Sequence, residues 1–475
     1  MKDSGSIQKI ATNLKEWLAK IDKSGLPGRF KAWMYQHAIL PRLLWPLLIY
    51  EVPITTVDIM ERNISGFLRR WLGLPKSLSS AALYGTTDAV QLPFSGLKEE
   101  FIVTRTREAM LYNESNDPKV VAARVEIKTG RKWKATKELQ VAEERLKQKA
   151  MVGVVAKGTA GLGYFPTTQV SQAKGKDRRR LIQEEVRKGV EEDRLCKMVG
   201  LAQQGAWTKW EDTIQRKISW TDLWQFNFSR VGFLVQTVYD TLPSPANLHT
   251  WGKIESPACQ LCTKNGTLQH ILSSCPKALN RYRWRHDQVL KVIADEVSAI
   301  IKTSKYQPDK RVRLINFIKP GEKKQAQRKE TPSLLTSAPD WQIRVDLGKQ
   351  LKFPEHIIET SLRPDMVLFS NATKQLIIWE LTIAWEENMA TSNERKRSKY
   401  QELKEQCQAN GWRTFLDPIE VGCRGFAGKS LCKAFSKIGI VGVRKRKAIK
   451  NIIESAEKSS RWVWMKRADT WDSAK

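Results

Sequence analysis

The residues best suited to chemistry lie in two clusters. The first is in "PACQLCTKNGTLQHILSSC", where Cys259, Cys262, His270 and Cys275 are spaced C-x2-C-x7-H-x4-C. Two thiolates two residues apart on a tight knuckle, followed by a histidine and a third thiolate about one helical turn apart, match a tetrahedral structural zinc site. Four protein ligands fill such a site and leave no open position for catalysis. Asn265-Gly266 offers the turn that folds the second ligand pair back onto the first. The alternative is three buried thiols beside an unrelated histidine. Only seven cysteines occur in the chain, three of them between 259 and 275. That usage points to a reducing compartment and a metal site rather than a disulfide framework.

The second cluster is in "LRPDMVLFSNATKQLIIWELTIAWEEN", beginning at Leu362. "MVLFS" (366–370) and "QLIIWELTI" (375–383) read as strands joined by the turn "NATK". A turn centred between Ala372 and Thr373 sets Asp365 directly across from Glu380, with Cβ atoms about 5 Å apart on one face. Like charges so opposed cost energy unless a cation lies between them. Mg²⁺ takes one or two carboxylates in this way and keeps its waters. A one-residue slip would send the acids to opposite faces. In "NERKRSKYQELKEQC" (393–407) Lys396, Lys399 and Leu403 share a helix face. A lysine there could orient an attacking water or stabilise a pentavalent phosphorane. The same spacing also describes a charged, exposed helix.

The elements that must position these residues belong to a 475-residue chain with 81 Lys+Arg, 50 Asp+Glu and a formal net charge of +31. Such a field favours a polyanionic partner, DNA or RNA above all. Two basic runs could touch phosphate: Arg178, Arg179 and Arg180 at a helix start, and Arg444, Lys445, Arg446 and Lys447 in "VRKRKAIK". Both runs also fit solvated surface, and the second could serve nuclear import. No apolar run is long enough to span a membrane, and "AILPRLLWPLLIY" (38–50) reads as a core segment. The N-terminus has neither a secretory signal nor a transit peptide. Residues 1–90 read as helical. Residues 97–150 read as charged helix with Leu139, Val141 and Leu146 inward, and 153–165, with four glycines, as a flexible linker. Residues 207–251 are dense in aromatics, suited to a helical core or to stacking on unpaired bases. They include an apolar helix stopped by Pro243 and Pro245. Residues 305–345 read as a linker. From 346 the order helix, strand, strand, helix, strand, helix suits a small α/β domain.

Taken together, these motifs resemble the C-terminal part of non-LTR retrotransposon polyproteins that carry a restriction-like endonuclease. There a Cys-Cys-His-Cys knuckle precedes an Arg-His element and a PD-(D/E)xK-type nuclease. Here "YRWRHDQV" (282–289) stands in the Arg-His position, and "RPD" (363–365) opens the nuclease core. The resemblance implies that Asp365 and Glu380 bind Mg²⁺, that Lys399 with Lys396 is catalytic, that Arg285 and His286 contact nucleic acid, and that the knuckle holds Zn²⁺. Thr382 stands where many relatives carry lysine. "GLPGRFKAWMYQHAILPRLLW" and "FLRRWLGLP" are similar to a reverse-transcriptase thumb. No YxDD-type motif occurs and little chain precedes the thumb-like part, so no DNA synthesis is expected without a polymerase partner in trans. The implied architecture is multidomain α+β. It runs from a thumb-like helical part (1–90) and a charged helical region (91–200) to an aromatic-rich region with the knuckle (201–300), a linker (301–345) and an α/β restriction-endonuclease-like domain (346–465). The expected function is nicking of DNA in the nucleus. A non-catalytic zinc-containing DNA/RNA-binding protein is the alternative, which Thr382 favours.

Overall fold

The computed structural model describes residues 4–86, 89–123, 125–152, 154–158, 161–165, 173–303 and 333–469. Helix and sheet are mixed, and the chain divides into two compact units, residues 1–208 with 216–241 and residues 209–215 with 242–475.

The first unit is helical. In α1 (Ser4–Lys23) the buried residues Ile10, Leu14 and Leu18 recur every four positions and form one apolar stripe. Next come α2 (Gly28–Met34), α3 (Leu40–Ile49) and α4 (Ile54–Leu72). α4 ends at Gly73, whose positive φ lets the Leu74 N–H close back onto the Arg69 carbonyl. A Cβ on Gly28 would lie 1.7 Å from the Trp71 carbonyl oxygen, so only glycine lets α2 approach α4. The 38–50 stretch buries Leu40, Leu43 and Leu47, yet Trp45 between them is 71% exposed. Then follow α5 (Leu97–Asn113), α6 (Ala135–Val152), α7 (Gly175–Val199) and α8 (Phe228–Val238).

Several sequence expectations change here. On α6 the inward residues are Leu139, Ala142 and Leu146, while Val141 faces out, because a spacing of two cannot share a helix face. The glycine-rich stretch expected as a linker runs as an antiparallel backbone pair, β2 (Val154–Gly158) with β3 (Gly161–Phe165), after the short β1 (Val90–Gln91). α8 stops at Val238, ahead of both prolines, and Asp240 turns the chain with a φ of 47°. β4 (Arg216–Lys217) pairs with β1. Trp207, Trp210, Phe226, Phe233 and Tyr239 are buried, so most of the aromatic stretch is core.

The second unit is built on a four-stranded sheet of order β5 (Gln342–Val345), β6 (Met366–Ser370), β7 (Gln375–Ala384) and β8 (Arg413–Gly422). β5–β6 and β6–β7 are antiparallel and β7–β8 is parallel. The parallel pair needs a crossover, which α10 (Met389–Ala409) supplies after α9 (Leu279–Thr303). α11 (Lys429–Lys437) and α12 (Gly442–Met465) close the unit. Alternation divides the sheet's side chains. Leu376, Ile378 and Leu416 pack with Tyr400, Leu403 and Cys407 of α10. Trp379, Leu381 and Ile419 pack with α9, α11 and α12 on the other face. No helix opens this part at 346, and β5 adds an edge strand before it. Most of the expected linker, 304–332, lies outside the described residues. The basic run 444–447 forms the first turns of α12.

Candidate active site and metal centre

The knuckle is a short backbone ladder: Ala258 bridges Asn265, the Cys259 N–H donates to the Lys264 carbonyl, and the Gly266 N–H donates to Pro257. Asn265-Gly266 is thus the returning arm rather than the turn itself. Gly266 lies against the Pro245 ring, where a Cβ would come within 2.9 Å. The Cys259 and Cys275 sulfurs are 4.0 Å apart, Cys262 and Cys275 3.9 Å, and Cys262 Sγ is 3.2 Å from His270 Nε2. All four ligand atoms lie within 4.8 Å of one another. Bonds of about 2.3 Å to a tetrahedral ion require edges of about 3.8 Å, so this cluster could hold a metal such as zinc. Burial first, and then the Lys264 charge, lower the His270 pKa. That lowering favours the neutral imidazole, the form that ligates.

The knuckle is tied to α9. The Tyr282 hydroxyl donates to the Ile271 carbonyl (2.8 Å) and accepts from the Cys275 N–H (3.1 Å). Arg285 Nη1 donates to the Leu272 carbonyl and to Ser460 Oγ. Arg285 is only 1% exposed. The expectation that it contacts nucleic acid is therefore corrected: its guanidinium satisfies buried acceptors instead.

One residue later, His286 Nε2 lies 3.3 Å from Asp365 Oδ2, with its Nδ1 3.1 Å from Asp287. Burial alone would lower its pKa, but hydrogen bonds to Asp287 and Asp365 and their charges raise it to about 9. The histidine expected at a nucleic-acid surface sits beside the acid pair.

The hairpin register pairs Met366 with Trp379 and Ser370 with Gln375, which carries Asp365 to Glu380. The Asp365 N–H donates to Glu380 Oε2 (3.1 Å), and the Leu381 N–H donates to Asp365 Oδ2 (2.7 Å). Glu380 is 3% exposed. Its pKa is raised by burial and then by Asp365, against the lowering pull of Lys396. Lys396 Nζ is 2.5 Å from Glu380 Oε1 and Lys399 Nζ is 3.9 Å away. Lys396 is therefore the nearer amine, although sequence reasoning put Lys399 first. Lys399 donates to the Tyr400 hydroxyl, which donates to the Arg363 carbonyl. Thr382 Oγ1 is buried without a hydrogen-bond partner. Two repelling carboxylates on one face are hard oxygen donors suited to a divalent cation such as Mg²⁺.

The other expected basic residues do not gather at the site. Arg178 pairs with Glu114 and Glu143 at 2.7 Å, and Arg180 lies 3.9 Å from Asp177 and Glu184. Arg179 is half-buried on the same turn of α7. Arg444 donates to Thr303 and Lys445 to Ser436, while Arg446 and Lys447 are exposed. Sequence reasoning missed Tyr400, although it stands four residues after Lys396, and Asp287, which carried no signal. No protein-family model matches the chain, and no curated protein matches it.

Proposed function

We propose that the second unit is a metal-dependent, restriction-like endonuclease of the kind found at the C-terminal end of non-LTR retrotransposon polyproteins. The observation that carries this reading is the Asp365–Glu380 pair, opposed across one hairpin with Lys396 on Glu380. In this reading Asp365 and Glu380 would hold Mg²⁺, which would supply Lewis-acid activation of water and charge to offset the phosphate. Lys396, released from Glu380 as substrate enters, orients the attacking water and stabilises the phosphorane, with Lys399 alongside. Water oxygen bonds to phosphorus and gives up a proton, the P–O bond to the leaving sugar oxygen breaks, and that oxygen takes up a proton in turn. His286 holds Asp365 from the α9 side. The substrate is DNA in the nucleus, with any polymerase acting in trans, and the zinc knuckle is structural.

The test is nicking of supercoiled plasmid in Mg²⁺ or Mn²⁺. Wild type should nick, and Asp365→Ala should lower the rate by about 10²-fold or more. No nicking by wild type, or equal nicking by the variant, would overturn the reading. Thr382 in the usual lysine position favours a second reading, a non-catalytic nucleic-acid-binding module. That reading predicts steeply salt-dependent binding without cleavage.

A further inference from the structure

One strand from the acid pair, along the outer strand β8, lies a cavity of about 570 Å³ that the proposed chemistry does not use. Its floor is Thr414, Phe415, Leu416, Asp417, Pro418 and Glu420 of β8, residues from both faces of that outer strand, so the cavity wraps the edge of the sheet. Pro418 is the register partner of Glu380, so the cavity starts one strand away from the acid pair. The α11 wall carries Lys429, Lys433 and Lys437, four residues apart and therefore on one side of the helix. From the other side of the sheet edge, α10 contributes Arg397 and Lys404, seven apart and likewise aligned.

Four carboxylates also line the cavity, and two of them are already engaged. Asp417 is taken by Lys437. Glu420 is 3% exposed and accepts from Ser430 Oγ and from Asn393 Nδ2. Asp212 and Glu394 remain at the edge. Among the described residues, Lys429, Lys433, Arg397 and Lys404 form no ion pair. The five cations on the helices flanking the β8 edge outnumber the four carboxylates, and the resulting positive lining favours a polyanion lying along that edge. The volume falls within the roughly 300–1,000 Å³ of ligand sites.

We infer that this cavity binds the phosphodiester backbone of a nucleic-acid strand to one side of the acid pair, with Lys429, Lys433 and Arg397 contacting phosphates. This deepens the nuclease reading by assigning where the strand runs, but its test does not depend on cleavage.

The full-length zinc-loaded protein is titrated with a labelled oligonucleotide over a series of salt concentrations in magnesium-free buffer. The cavity double variant Lys429→Gln/Lys433→Gln is compared with Lys291→Gln/Lys458→Gln, the same charge loss on exposed lysines of α9 and α12 behind the sheet. The log–log salt slope should fall by roughly 1 per cavity lysine. Affinity in the cavity variant should fall roughly tenfold. The control should change far less, and all proteins should retain zinc. Equal losses in the two doubles, or an unchanged slope in the cavity double, would overturn the inference. So would displacement of the oligonucleotide by inorganic phosphate at matched ionic strength, since that would mark a small-anion site. If wild type fails to nick plasmid but the cavity double still lowers the salt slope, the nuclease reading fails and the backbone site stands.

Discussion

At the residue scale, the decisive feature is which lysine reaches Glu380. Helical spacing puts Lys396 and Lys399 on neighbouring positions, and periodicity cannot rank them. The structure places Lys396 Nζ 2.5 Å from the carboxylate and sends Lys399 to Tyr400. Lys396→Ala should therefore lower plasmid nicking by about 10²-fold, and Lys399→Ala by distinctly less. The ratio of single-turnover rates measures this ranking, and a larger loss from Lys399→Ala would reverse it. A second residue sets a pH dependence in the first unit. Glu61 is partly buried and accepts from the Lys98 N–H at 2.7 Å. Burial raises its pKa above the ordinary 4.5, against the lowering effect of Lys98 and Arg194. The folded state then binds this proton more tightly than the unfolded state. Its contribution to stability is complete below 4.5 and is lost as pH rises through the folded value. Glu61→Gln keeps an acceptor and should flatten that part of the stability–pH curve, read by urea unfolding at several pH values.

At the element scale, α9 joins the two clusters from which the sequence reading began. Its Tyr282 and Arg285 grip the carbonyls of Ile271 and Leu272 beside the knuckle, and its His286 meets Asp365. Metal loss should therefore be felt at the acid pair. Cys262→Ser is expected to lose zinc, since each ligand is needed to close a four-coordinate site. Plasmid nicking should fall with it, although none of the four ligands belongs to the acid pair. Zinc content by atomic absorption, measured beside nicking rate, checks the link. Full activity in the zinc-free protein would separate knuckle from nuclease. The hairpin was legible because alternation and the "NATK" turn fix register within a few residues. The α9 connection was not, because residues 286 and 365 are brought together only by packing.

At the scale of the whole molecule, the segment 209–215 belongs with the C-terminal unit although α8 and its surroundings separate the two in sequence. The Arg424 guanidinium lies between the Trp385 and Trp210 rings, 3.6 and 4.0 Å from their centroids. Arg424 Nε also pairs with buried Glu386. The Ile214 N–H donates to the Ala427 carbonyl, and the Lys429 N–H donates to Asp212. A fragment beginning at 242 leaves Arg424 without one ring and two backbone groups without partners, each costing about 1–3 kcal/mol where buried. It should unfold at a lower temperature than a fragment beginning at 209, by calorimetry. Equal midpoints would show that the segment contributes nothing to the fold.

The sequence alone determined what depends on short spacings. The four ligand positions, the hairpin register that opposes Asp365 to Glu380, the helix carrying the two lysines and the strongly basic charge all follow from local periodicity or from counting. It misjudged what depends on three-dimensional neighbours. Arg285 could be read as a surface cation until packing buried it, and no local spacing set His286 beside Asp365. The cavity between α10 and α11 could not be read from sequence at all. Its five cations come from helices that pack on either side of the outer strand β8, and side chains that distant in sequence meet by tertiary packing alone.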